Sequence, residues 1–262
     1  MSAILELTKA AAEAGGAVLR EKFESGFKVR SKAPSDLVTE ADLAAEKVIV
    51  DLIRTSYPDH VILAEESSSR ASTDAQHLWV VDPLDGTTNF VHGVPNIGVS
   101  IAYYNAGQAT VGVVYNPLLN DWYIAERGAG AFFNDKAARV SSDGLSDSLV
   151  GVGFYYDRGA MMRATLAAVQ ELFEQQIHGI RRMGSAALDL CYVGTGQFGA
   201  FFEYQLSPWD FAAGRLFVEE AGGTVTTCNG RKLPLEVSTV LAASPAVQAT
   251  VLEIVQRHMP SV

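Results

Sequence analysis

Cysteine is almost absent: the 262 residues include two, Cys191 and Cys228. Two thiols build no disulfide framework and lack the paired spacing of a zinc site, which suits a reducing compartment. Basic residues are also scarce, with 20 Lys and Arg against 30 Asp and Glu, so the net charge is −10. A field of that sign repels polyanions and disfavours a general nucleic-acid or anionic-membrane surface. Charged residues make up only 19% of the chain, below the roughly 25% of an average soluble domain. That shortage points to extra buried surface, such as a subunit interface. No apolar run approaches the roughly 20 residues of a membrane span. The opening MSAILELTKAAAEAGGAVLR is broken by Glu6, Lys9, Glu13 and Arg20 and carries no secretory core. The five histidines, at 60, 77, 92, 178 and 258, show no ligand spacing. A cytoplasmic globular protein is expected.

What is present is a chain long enough for one large domain or two closely packed halves. Helical periodicity covers about 3–23 and again about 40–56, where Ala41, Ala44, Ala45, Val48, Ile49, Leu52 and Ile53 share a face. Tyr57-Pro58-Asp59 stops the second helix. Val61–Ala64 and Leu78–Val81 read as strands separated by the polar loop 67–74, and Ile97–Tyr104, Ala109–Tyr115 and Trp122–Glu126 as an antiparallel meander. The second half alternates: strand 148–154, helix 159–175, strand 177–181, helix 185–193, strand 198–204, helix 208–221, strand 239–243 and a terminal helix. Mixed elements in both pairing senses make an α+β or layered α/β protein. Halves of 1–147 and 148–262 are expected to form one compact unit.

The chemistry concentrates in Trp79-Val80-Val81-Asp82-Pro83-Leu84-Asp85-Gly86-Thr87-Thr88-Asn89-Phe90. An apolar strand runs into two carboxylates three residues apart, followed by glycine and hydroxyls. Pro83 is expected to force a turn that folds both carboxylates toward one point beyond the strand end. Gly86 would let the backbone approach a ligand, and the amides after it can cradle an anion. Two bare carboxylates that close repel, so a proton or a cation must stand between them. Glu65-Glu66 ends another strand. Ser207-Pro208-Trp209-Asp210 has the pattern of a helix start with Asp210 as its N3 carboxylate, and Thr39 and Asp42 have capping-box spacing. Read locally, each of these is an ordinary strand end or cap.

Taken together they resemble the inositol monophosphatase family, within the magnesium-dependent, lithium-sensitive phosphatase superfamily. The matching segments are DLVTEAD (36–42), AEES (64–67), WVVDPLDGTTNFVHGVP (79–95), GSAALDLC (184–191), SPWDFAAG (207–214) and EEAGG (219–223), in family order. The resemblance implies a layered α-β-α-β-α sandwich with mixed, largely antiparallel sheets, assembled as a homodimer. It implies two or three Mg²⁺ ions. Glu65, Asp82 and the Leu84 carbonyl would hold the first; Asp82, Asp85 and Asp210 would hold the second. An all-oxygen donor set suits a hard cation. Thr87, oriented by Asp42, would position the attacking water with Glu65, and the Gly86 and Thr87 amides would bind phosphate oxygens. Gly184, Ser185, Ala186, Glu203 and Asp210 would face the substrate alcohol. Lys32 resembles a lysine near the metal site, although its spacing to Asp36 is one residue short of many relatives. Ala64 stands where the family usually has glycine.

Three decoys fail on spacing or context. Asp82 and Asp85 are separated by two residues, unlike the D-x-D-G-T of haloacid-dehalogenase phosphatases. Gly194–Gly199 fits G-x-G-x-x-G, but it joins a helix to a strand, the reverse of a dinucleotide fingerprint. Cys191 sits on an apolar face and lacks the C-x5-R context of a thiol phosphatase, so it reads as a buried thiol. The expected activity is Mg²⁺-dependent hydrolysis of a small polyol or sugar phosphate, first among them myo-inositol 1-phosphate. The alternatives are fructose 1,6-bisphosphate, histidinol phosphate, a 3′-phosphoadenosine nucleotide or NADP, or a regulatory protein- or RNA-associated factor on the same fold.

Overall fold

The computed structural model describes residues 2–33 and 36–260, without side chains for 31–33 and 36, so the side chain of Lys32 lies outside the described residues. In chain order the elements are α1 (Ala3–Ser25), β1 (Val29–Ala33), β2 (Asp36–Thr39), α2 (Glu40–Ser56), β3 (Val61–Ala64), β4 (His77–Asp85) and α3 (Thr87–Val91). The strands β5 (Gly98–Asn105), β6 (Gln108–Asn116), β7 (Asp121–Glu126), β8 (Gly130–Phe133) and β9 (Lys136–Ala137) complete the first half. Then come β10 (Leu149–Val152), α4 (Ala160–Glu174), β11 (Gly179–Arg181), α5 (Ala186–Gly194) and β12 (Ala200–Leu206). Last are α6 (Pro208–Glu220), β13 (Thr224–Thr226), β14 (Ser238–Ala243) and α7 (Gln248–His258).

Strands β3 to β9 lie side by side in sequence order as a seven-stranded sheet, parallel only at β3–β4. A five-stranded sheet has the order β11-β10-β12-β14-β13, parallel around β10 and antiparallel beyond it. Side-chain alternation explains how these sheets stack, because successive residues of a strand point to opposite faces. From β4, Trp79 and Val81 join Leu19, Ile49 and Ile53 of α1 and α2. Its neighbours Leu78 and Val80 point the other way, to Leu188 of α5 and Ala213, Leu216 and Phe217 of α6. Phe201 of β12 meets the same two helices through Leu190, Val193 and Phe211. Phe202 faces away, onto Leu172 of α4 and Val251 and Val255 of α7. The order of layers is therefore α1/α2, seven strands, α5/α6, five strands, α4/α7, the expected sandwich. Both sheets are covered on both faces, which is why their strands read as nearly continuous apolar runs.

Two local features position the site. The long helices start at side-chain caps: Ser2 accepts from the Leu5 amide, and Thr39 and Asp42 form the capping box of α2. The second feature corrects the sequence reading. Pro83 makes no turn; β4 continues through it to Asp85, and the register with β5 slips between Asp82↔Ser100 and Asp85↔Gly98. A bulge accommodates a residue without an N–H and re-aims neighbouring side chains. The paired aspartates thus sit on a bulged strand end. The reversal comes one step later, at Gly86, whose φ of 93° is left-handed and opens α3.

Candidate active site

A cavity of about 340 Å³ lies where the end of β4, the start of α3 and the N-termini of α5 and α6 converge. Glu65, Asp82, Leu84, Asp85, Gly86, Thr87, Gly184, Ser185, Ala186, Glu203 and Asp210 all line it. Asp42 stands behind that wall and reaches it through Thr87, whose Oγ1 lies 2.9 Å from Asp42 Oδ1 and 3.1 Å from the Leu84 carbonyl oxygen. A hydroxyl carries one proton, so Thr87 donates to one of these oxygens at a time. Glu66 is not among the lining residues, and its backbone amide donates to Glu46 Oε2 at 2.8 Å.

Asp42, Asp82, Asp85 and Asp210 each accept from at least one backbone amide. Asp42 Oδ2 accepts from the Thr39 amide at 2.9 Å and the Thr39 hydroxyl at 2.6 Å. Asp82 Oδ1 accepts from the Leu84 amide at 3.0 Å, closing an Asx-type turn on the bulge. Asp85 Oδ2 accepts from Ser185 Oγ at 2.6 Å and the Ala187 amide at 2.7 Å, so a residue of the first half caps the first turn of α5. Asp210 Oδ2 accepts from the Ser207 amide at 2.7 Å. The capping reading of Asp210 is therefore correct, and the same carboxylate also lines the cavity. Asn89 draws the halves together by donating from Nδ2 to the Asn96 carbonyl at 2.7 Å and to the Met183 carbonyl at 2.8 Å.

The electrostatics are one-sided. Burial, then the charges of Glu65, Asp85 and Asp210, hold the Asp82 carboxyl well above the usual carboxylate range. Asp210 is raised likewise, by burial and then by Asp85 and Glu65. Burial lifts Asp85 to about 6 despite its bonds to Ser185 and Ala187. Glu203 is pushed up to about 8 by burial, with Arg182 opposing. Burial also raises Asp42, against the hydrogen bonds from Thr39 and Thr87. Acids that penalise one another's ionisation are the setting in which a cation is most strongly bound. Among the described residues, no three His, Cys, Asp or Glu side chains close on one point as a preformed cage. The donors surround a shared cavity, the spacing that mutual repulsion favours. Their chemistry, carboxylates and one carbonyl with no imidazole or thiolate, fits a hard divalent ion.

Sequence reasoning missed several residues that line this cavity: Arg182 and Asp189, and Tyr155 and Tyr156. Asp189 carries the only available signal, since it follows the helix-capping Ser185 by one turn and shares its face. His92, next to the motif, is not among the lining residues. Gly194–Gly199 joins α5 to β12, and Cys191 is buried, as expected. No described helix is long and apolar enough to cross a membrane.

Comparison with known proteins agrees with this geometry. A putative Nus factor SuhB of Neisseria meningitidis serogroup B is 42% identical over 96% of this chain and 97% of its own length. The inositol-1-monophosphatase of Rhizobium meliloti is 39% identical over 99% of this chain and 98% of its own. The crystal structure of an IMPase/NADP phosphatase complexed with Mg²⁺ and phosphate superposes with a TM-score of 0.86 at 30% identity, covering 96% of this chain and 94% of that one. The sequence signature of the inositol monophosphatase family matches residues 1–260, and the chain belongs to that family.

Proposed function

We propose that the chain is a magnesium-dependent phosphomonoesterase of small polyol phosphates, with myo-inositol 1-phosphate the leading substrate, acting as a homodimer. The observation that carries this reading is the convergence of Glu65, Asp82, Asp85 and Asp210 on one cavity beside the Thr87–Asp42 hydrogen bond. Glu65, Asp82 and the Leu84 carbonyl would hold one Mg²⁺, and Asp82, Asp85 and Asp210 another. Bound there, the ions supply Lewis acidity toward water and phosphate and neutralise the departing alkoxide.

The chain's own residues do the remainder. With its proton directed at Asp42 Oδ1, Thr87 Oγ1 turns its lone pairs outward and can accept a hydrogen bond from the attacking water. Asp42, raised by burial and fixed through Oδ2 by Thr39, can take up the Thr87 proton as Thr87 draws one from that water. Gly86 opens α3 among the residues that line the cavity, and the first amides of that helix would bind phosphate oxygens. Glu203 and the Gly184–Ala186 turn face the alcohol.

The test is phosphate release from a panel of phosphomonoesters with and without Mg²⁺. Release that requires Mg²⁺ and is highest for a polyol phosphate is expected. No release from any ester of the panel at any Mg²⁺ concentration would reject the enzyme reading. In that case the second reading, a regulatory factor, takes its place; it is favoured by the relatives that carry the Nus factor name.

A further inference from the structure

Asp189, which no step above uses, occupies the first full turn of α5 and lines the same cavity with only 2% of its surface exposed. Its Oδ1 has no hydrogen-bond partner among the described residues. Buried carboxylate oxygens are nearly always paired, because an unpaired one bears the full loss of its hydration. The Ser185 hydroxyl and the Ala187 amide, close by in the chain, both give to Asp85. Asp189 lines the cavity with Arg182, Glu203 and the Gly184–Ala186 turn, all from the second half of the chain, whereas Glu65, Asp82 and Thr87 come from the first. An acceptor oxygen repels the phosphate oxygens, so its partner is a donor on the other part of the ester.

We propose that Asp189 is a specificity-determining residue whose Oδ1 accepts a hydrogen bond from a hydroxyl of the leaving alcohol, alongside the contact made by Glu203. This rests on the phosphomonoesterase reading and refines it. Two acidic groups lining one cavity select an alcohol that carries more than one further hydroxyl. An ester with no other hydroxyl leaves Oδ1 unpaired in the complex as well. Sites built to hydrogen-bond a substrate hydroxyl discriminate strongly against analogues that lack it.

The experiment compares the wild-type enzyme with Asp189→Ala and Asp189→Asn on myo-inositol 1-phosphate and on p-nitrophenyl phosphate, which has no spare hydroxyl, at several Mg²⁺ concentrations. Asp189→Ala is expected to lower kcat/KM for the inositol ester about tenfold, mainly through KM, and to leave the nitrophenyl ester within about twofold. Asp189→Asn, whose carbonyl oxygen still accepts, is expected to restore the inositol ester to within about threefold of wild type. An equal loss on both esters, or a loss recovered by more Mg²⁺, overturns the proposal, since Asp189 would then support the fold or the metal site. An unchanged inositol rate overturns it too. If the unmutated enzyme releases phosphate from neither ester, this proposal is overturned, and if it also releases none from any other ester of the panel, the phosphomonoesterase reading itself fails. A readout independent of folding uses the wild-type enzyme with monodeoxy analogues of the inositol ester. Sensitivity at two ring positions is expected, and sensitivity at one or none is the contrary result.

Discussion

Asp82 shares its cavity with Glu65, Asp85, Asp189, Glu203 and Asp210, and its ionised form is opposed by burial and by the charges of Glu65, Asp85 and Asp210. Asp82→Asn removes that repulsion and one of the two carboxylate oxygens that would hold the ions. Phosphate release is expected to fall at least 100-fold while the thermal midpoint of the metal-free protein holds or rises; near-normal turnover would refute the bridging role. Glu203 permits a test through pH. Its carboxyl is raised from 4.5 to about 8 in the folded chain, so the folded state favours the protonated form. The sign follows from linkage: stability is intact below about pH 4.5 and declines as pH rises through 8. Glu203→Gln is expected to flatten that decline, which denaturant titrations of metal-free protein between pH 5 and about pH 9 would show. At this scale the sequence was legible where residue types cluster in one string, as at Asp82, Asp85 and Gly86. Asp189 was barely legible: its spacing from Ser185 gives its face, but a single acid on a helix has the same appearance whether it is solvated or buried.

α6 carries Asp210 at its N3 position and lies between both sheets, in contact with Ala102, Val114 and Val240 through two of the four apolar clusters. Its distance from the seven-stranded sheet is set by Gly112 of β6, where an added Cβ would sit 2.8 Å from the Ala213 carbonyl oxygen. Gly112→Ala forces helix and sheet apart, a form of overpacking that costs about 1–3 kcal/mol. A melting point lowered by several degrees is expected, together with reduced phosphate release as Asp210 moves with its helix. A calorimetric scan that superimposes on wild type would refute this. Long periodic helices and the strands β5 to β7 were readable, because each carries its own apolar pattern. β1, β2, β8, β9 and β13 were not, since these runs of two to five residues carry too few apolar positions to show a period, although each pairs with a strand next to it in sequence. The bulge at Pro83 was missed because the register that creates it belongs to β5 as much as to β4.

Five layers also account for the composition. A chain whose two sheets are apolar on both faces has little room for charge, which is how 48% hydrophobic residues coexist with 19% charged ones. The same layering has a consequence during synthesis. The seven-stranded sheet is complete by Ala137, yet the helices that cover Leu78, Val80, Ala102 and Val114 span Ala186–Glu220. While the ribosome makes the intervening stretch, at about 5–20 residues per second, one face of a finished sheet has no protein cover. A fragment ending at residue 147 is therefore expected to sediment as aggregate, where the full chain remains dispersed. The nascent chain should be a client of holding chaperones for the several seconds before its central helices emerge.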